Sequence, residues 1–323
     1  MLKIDPNEKQ DLVNYFNKNV YNTIEILKDN SYSNINSDIK DFLLDLDFEE
    51  NGIIKENILF MSHQEIFTIV NDFFENLENC FGNNAKQIFL NTSVEISCSF
   101  STIDNDEKIK CIKKFISRKY NKMYKNFRTS YAKKLIEYSD MRICPYCNRN
   151  YINIIENENR TIIPDLDHFY PKSKYPFLSV VLSNLVPSCL SCNERIKGSI
   201  DFYSQAMYPP NKLFGIIEFD FDIYLNKIYL KNYESLDDEY KVLVDTFLIQ
   251  ESYATHTEIL KSITNKYLKY KKSKLKDIAN YAYGLTENEM EKIVFYEYEF
   301  LNKKTELLYK LKKDLYEKIG GLK

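Results

Sequence analysis

The sequence predicts an α+β protein, mainly α-helical, with a small β-containing module inserted between two helical regions. Three observations carry this expectation. Apolar residues recur at helical spacing in both outer thirds of the chain, and that periodicity gives way from Met141 to Cys, Pro, Asn and short β-branched runs. Only 7 Gly and 8 Pro occur in 323 residues, which favours long helices and short connections. A hydrophobic fraction of 44% and an aromatic fraction of 15% are enough to fill real cores and exclude a disordered chain.

Within residues 1–140, Leu12, Tyr15, Phe16, Val20, Ile24 and Leu27 predict one amphipathic helix. Ile66, Ile69, Val70, Phe73, Phe74 and Leu77 predict a second, and Phe115, Tyr120, Tyr124, Phe127, Tyr131 and Leu135 a third. In the module, residues 141–210, Tyr151–Ile155 and Thr161–Ile163 read as two strands joined by the polar turn 156–159. A short helix is expected to begin near Ser191 and stop at Gly198. In residues 211–323, alternation over Ile216–Phe221 and Ile228–Leu230 predicts a strand pair, followed by helical periodicity to Lys318.

No apolar run approaches 18 residues, and Met1-Leu2-Lys3 opens no signal-peptide pattern, so the expectation is a soluble cytoplasmic protein. The net charge of −3 does not advertise a nucleic-acid binder, but its distribution does. Asp38–Glu50 is acidic, whereas Lys108–Lys134 holds eleven Lys/Arg and no acid. Lys113, Lys114, Arg118, Lys122 and Lys125 are therefore candidate phosphate contacts, with a solvated helix face as the alternative. Lys261–Lys276, with seven Lys, is a weaker second run.

The chemistry concentrates in the module. Cys144-Pro-Tyr-Cys147 and Cys189-Leu-Ser-Cys192 are two CxxC knuckles, separated by 41 residues. In an unsecreted protein such pairs read as metal ligands before disulfides, and two knuckles supply the four soft ligands that tetrahedral zinc takes. Cys80, Cys98 and Cys111 read as buried small hydrophobes. Between the knuckles stands Asp167-His168. Neighbouring residues of a regular strand point to opposite faces, so the strand must end or bend there for both to serve one site. Pro171 and Pro176 make an irregular exit plausible.

Cys144-x2-Cys147, Leu166-Asp167-His168-Phe169-Tyr170-Pro171, Ser183-Asn184-Leu185-Val186-Pro187-Ser188 and Cys189-x2-Cys192-Asn193-x3-Lys197-Gly198 together resemble the HNH endonuclease family. The resemblance covers residues 141–200 and has the His-Asn-Asn form of the signature, with Asn193 in third place. It implies a ββα-metal fold on a treble-clef zinc scaffold. It also implies His168 as general base, Asp167 and Asn193 as oxygen ligands of a catalytic Mg²⁺ or Mn²⁺, and Asn184 as a brace that orients the base. Arg195 and Lys197 are candidate backbone contacts, with a packing role equally open for Lys197.

More narrowly, the Cys-Pro-Tyr-Cys knuckle and the Asp-His-Phe-Tyr-Pro-Lys-Ser stretch resemble the HNH component of Septu-type and retron-associated anti-phage defence systems. That resemblance implies a nucleic-acid substrate, DNA before RNA, an ABC/SMC-like ATPase partner and no membrane. Two other readings stay open: a stand-alone restriction or mobile-element endonuclease, and a non-catalytic zinc-stabilised adaptor.

Overall fold

The structure is a computed structural model that describes residues 23–46, 59–93, 95–139, 141–203, 205–270 and 305–321, with a few further positions outside these ranges. It is a mixture of helices and small two-stranded sheets. The chain forms two compact units that interleave along the sequence. The first takes residues 1–140, 154–187 and 198–203, and the second 141–153, 188–197 and 204–323.

The first unit is built on α1 (Ser37–Leu44), α2 (His63–Phe81), α3 (Ala85–Asn91), α4 (Asn105–Ser130) and α5 (Ala132–Ser139). Helix α2 starts at a reciprocal cap. The Ser62 hydroxyl accepts from the Glu65 backbone N–H, and the Glu65 carboxylate accepts from the Ser62 N–H. It buries Ile66, Val70, Phe73, Phe74 and Leu77 as the periodicity predicts, while Ile69, predicted on the same face, is only half-buried. Phe73 meets Phe42, Phe89 and Phe177 edge-on or tilted, at ring separations of 5.9, 5.2 and 4.7 Å.

Helix α4 is capped by Asp104, whose side chain accepts from the Glu107 N–H at 2.9 Å, and Asp106 and Glu107 place negative charge in its first turn. The single helix predicted across 115–135 is divided at Tyr131 into α4 and α5. The helix predicted over Leu12–Leu27 lies outside the described residues, apart from isolated positions and the turn Thr23–Ile26.

Helix α4 corrects the reading of its own basic run. Lys113 is fully buried and donates to the carbonyls of Phe89 and Leu90 at 2.6 and 3.3 Å, so it is not a phosphate contact. Lys108 and Lys119 are buried as well; Lys108 pairs with Asp38, and Lys119 donates to the Thr23 hydroxyl at 2.6 Å. Burial pushes the Lys119 ammonium down to about 7, and burial with the nearby charge of Lys174 pushes Lys113 down to about 8.

Both values lie below the unfolded-chain value of about 10.4. The unfolded chain therefore holds more protons above pH 7, and stability rises with pH as the medium approaches pH 10. Denaturant titrations at pH 7 and pH 9.5 should show a gain on the order of a few kcal/mol, partly lost in Lys119→Met. A flat or falling profile would rule this out.

A hairpin of β1 (Ile155–Asn157) and β2 (Arg160–Ile162) lies exposed, its turn closed by the Asn157 side chain accepting from the N–H groups of Asn159 and Arg160. Its first strand starts later than predicted, because Tyr151 bridges Ile143 and the Ile152 N–H donates to the Arg142 carbonyl. Strands β3 (Asp165–His168) and β4 (Leu185–Ser188) form a second small sheet. Helix α4 packs along the 3₁₀ turn Pro176–Val180, every residue of which is buried.

In the second unit, β5 (Phe219–Asp222) and β6 (Lys227–Leu230) are antiparallel, with Phe219 opposite Leu230. The predicted strand start at Ile216 is instead the end of a helical turn, Leu213–Ile216, which follows Pro209-Pro210. Helices α6 (Asp238–Thr246), α7 (Ile249–Ala254), α8 (Thr257–Lys269) and α9 (Tyr309–Gly321) complete the unit. Helix α9 is fastened to β5 by Asp314, which accepts from the Phe219 N–H at 2.7 Å, and by the Lys318–Asp220 pair. The second basic run begins on α8, and most of it beyond Tyr270 lies outside the described residues. Among the described residues no helix is long and apolar enough to cross a membrane.

Candidate metal centre and imidazole site

The four knuckle cysteines meet in the second unit. The sulfurs of Cys144, Cys147, Cys189 and Cys192 all lie within 4.8 Å of one another, and three of the four residues are buried. A tetrahedral zinc with Zn–S near 2.3 Å needs sulfurs about 3.8 Å apart, a spacing that falls within that limit.

Local backbone explains the convergence. The Asn148 N–H returns to the Cys144 carbonyl and the Asn193 N–H to the Cys189 carbonyl, each closing a tight turn. Donors also point at the sulfurs: the Cys189 N–H reaches Cys144 Sγ at 3.4 Å, and the Asn150 amide reaches Cys189 Sγ at 3.3 Å. Such bonds stabilise thiolate and orient a ligand around its metal.

The thiols do not ionise independently. Hydrogen bonds from Cys144 and the other two cysteines hold Cys189 below the usual thiol range, while burial pushes Cys144 above it. The cluster is anchored by the Tyr253 hydroxyl, which donates to the Cys147 carbonyl at 2.9 Å, and by Tyr146 stacked on Phe247 at 4.4 Å. This donor set fits a structural zinc. Of the other cysteines, Cys111 is buried as predicted, Cys98 is half-buried, and Cys80 is exposed at the solvent side of α2.

Asp167, His168 and Asn184 belong to the first unit and are all buried. Strand β3 ends at His168. The His168 Nε2 lies 3.0 Å from the carbonyl of Ser179. A carbonyl only accepts, so Nε2 carries the hydrogen and the lone pair of the neutral ring sits on Nδ1. Ser179 is itself held by its hydroxyl, which donates to the Tyr120 carbonyl of α4 at 3.2 Å.

From α4, Tyr124 meets the His168 ring edge-on at 4.5 Å and donates to the Leu166 carbonyl at 3.2 Å. Burial pushes the Tyr124 phenol up to about 12, and the carboxylates of Asp167 and Asp165 push the same way against Arg128. It remains a protonated donor through the physiological range.

Asn184 braces the loop beyond His168. Its Oδ1 accepts from the Tyr170 N–H at 2.8 Å, and its Nδ2 donates to the carbonyls of Tyr170 and Leu178, each at 3.1 Å. The amide thus ties the exit of β3 to the turn that carries Ser179. Asn184→Ala should cost about 3 kcal/mol, because it strands buried backbone groups, and the denaturation midpoint would report it. A change under about 0.5 kcal/mol would refute the bracing role. Asp165 pairs with Arg128 at 3.4 Å. His63 also supports this loop, with Nε2 3.1 Å from the Ser183 carbonyl and Nδ1 2.9 Å from the Tyr170 hydroxyl.

Asn193, Arg195 and Lys197 lie in the second unit, on the single wide helical turn Ser191–Lys197, which ends at Gly198 with φ +51° as the sequence predicts. Arg195 is exposed and Asn193 half-buried. Lys197 is 1% exposed, which corrects its reading as a backbone contact and leaves the packing role. Sequence reasoning missed Ser179 and Tyr124. Ser179 acts through its carbonyl, which no residue type reveals, and Tyr124 was legible only as one position of an apolar helix face.

Among the described residues the four cysteines are the one cluster of three or more Cys, His, Asp or Glu able to hold a metal.

No family model matches the chain, and no solved structure matches it. The chain is similar to Protein ea31 of Escherichia phage lambda, 35% identical over an alignment 100 residues long that covers 28% of this chain. It spans about three tenths of the length of that relative (30%).

Proposed function

We propose that this protein is a metal-dependent endonuclease of the HNH kind, hydrolysing phosphodiester bonds in nucleic acid. The observation that carries the proposal is the His168 imidazole, held in one tautomer by the Ser179 carbonyl and set directly after the buried carboxylate of Asp167. The fixed ring takes a proton from water at Nδ1. As it becomes cationic, its Nε2–H bond to the carbonyl strengthens, so the backbone dipole stabilises the charge the reaction creates.

Asp167 offers a hard oxygen suited to Mg²⁺ or Mn²⁺, and the resemblance alone assigns Asn193 as a further oxygen ligand. Such an ion, when bound, supplies neutralisation of charge on the phosphate. The four cysteines hold a structural zinc in this reading, which supplies folding free energy to the second unit. On the resemblance alone, the nuclease is the effector of a bacterial anti-phage system and works with an ABC/SMC-like ATPase in the cytoplasm.

The test is incubation of zinc-replete protein with plasmid DNA and with total RNA, with and without Mg²⁺ or Mn²⁺. Metal-dependent cleavage of either is the expected result. No cleavage, by the protein alone or with its ATPase partner, overturns the proposal.

A further inference from the structure

We infer that the exposed face of α4, together with Lys172, is a track for the phosphodiester backbone of a nucleic acid, with Arg128 and Lys172 at its inner end beside His168. The inference rests on the nuclease reading and gives it a substrate path.

Removing the buried lysines leaves Lys114 half-buried and Arg118, Lys122, Lys125 and Arg128 exposed. Their spacings of four, four, three and three residues place all five within about a third of the helix circumference, in a row roughly 20 Å long. The buried lysines are taken up within the protein: Lys113 by the Phe89 and Leu90 carbonyls, Lys119 by the Thr23 hydroxyl and Lys108 by Asp38. What remains is an ordered row of cations, not a scattered solvated face.

The row ends at the imidazole. Arg128 is one turn beyond Tyr124, on the same side of α4, and bonds Asp165, two residues before Asp167. Lys172, from the loop after β3, sets its ammonium 5.0 Å from the centroid of the Tyr124 ring, which meets His168. Partial desolvation of its ammonium, and after it the guanidinium of Arg128, lower the affinity of Lys172 for its proton, although the residue as a whole is exposed. Two cationic side chains from separate elements thus stand around Tyr124, whose ring meets the candidate general base. An anion that both could grip would be neutralised by them, and a phosphate diester is the anion that the base would act upon.

The test measures binding without chemistry. Full-length, zinc-loaded protein without added Mg²⁺ or Mn²⁺ is titrated with labelled duplex DNA, duplex RNA and single-stranded DNA of equal length over a range of salt. The log–log salt slope should fall by about 0.7–0.9 for every phosphate contact removed. Arg118→Gln/Lys122→Gln/Lys125→Gln should lower it by roughly 2–3, and Lys172→Gln by roughly 1. These side chains are exposed, so zinc content and far-UV dichroism should be unchanged. The probe with the steepest wild-type slope identifies the substrate class.

Unchanged slopes on all three probes, or no binding by the wild type, would overturn the track. If slopes fall while the wild type cleaves nothing when metal is added, the track stands and the nuclease reading fails. If the wild type cleaves and slopes do not move, the reverse holds, and the face is left to an acidic protein.

Discussion

His168→Ala should lower phosphodiester cleavage by at least about a hundredfold, the lower end of what a positioned general base contributes. Zinc content should stay at the wild-type level, because the cysteine cluster draws all four ligands from the second unit and His168 belongs to the first. The substitution also orphans the Ser179 carbonyl, at a cost on the order of 1–3 kcal/mol in stability. His168→Asn separates the two effects. It retains a side-chain donor but has no group that titrates near neutrality, so it should remain as inactive as the alanine variant while recovering stability. Wild-type cleavage by either variant would end the proposed mechanism and favour a binding module.

Cys144→Ser and Cys192→Ser should release the zinc and unfold the second unit. Structural zinc bound to four thiolates contributes about 10–16 kcal/mol of apparent binding free energy, comparable with the whole stability of an ordinary domain. A serine oxygen is a poor substitute for a soft thiolate. It also leaves the remaining sulfurs, held within 4.8 Å of one another, with no cation to offset their mutual repulsion. Metal analysis and near-UV dichroism would show the loss, and a strong chelator should reproduce it in the unmodified protein. A serine variant with full zinc content and unchanged melting would show that the cluster is four packed thiols and no metal site.

The legible parts of this chain are those written locally. Helix α2 carries its apolar stripe and its Ser62/Glu65 cap in adjacent residues, and it forms where the periodicity places it. The knuckles converge as their spacing predicts, and Gly198 ends its turn. What was lost depended on partners distant in sequence. Tyr151 and Ile152 have strand character, but residues 142–143 claim them for the first knuckle. In the sequence Lys113 is one charge in a basic run. Its helical neighbours Ile109, Ile112, Ile116 and Tyr120 are all buried, and that pattern could have marked it as a core position. The Ser179 carbonyl beside His168 has no sequence signal at all, since every residue owns a carbonyl.

The interleaving of the two units makes the cysteine cluster a clasp on a long loop. Residues 154–187 leave from one knuckle and return to the other, and Asp167, His168 and Asn184 all ride on that excursion. Cys144 and Cys189 stand 45 positions apart, and holding the ends of so long a segment together costs a free chain about 3 kcal/mol in entropy. Sulfurs joined through one ion would meet that cost in advance. The order of the imidazole's own segment would then depend on an ion that takes no part in its chemistry, and oxidation or chelation at the clasp would slacken the loop from its two ends inward.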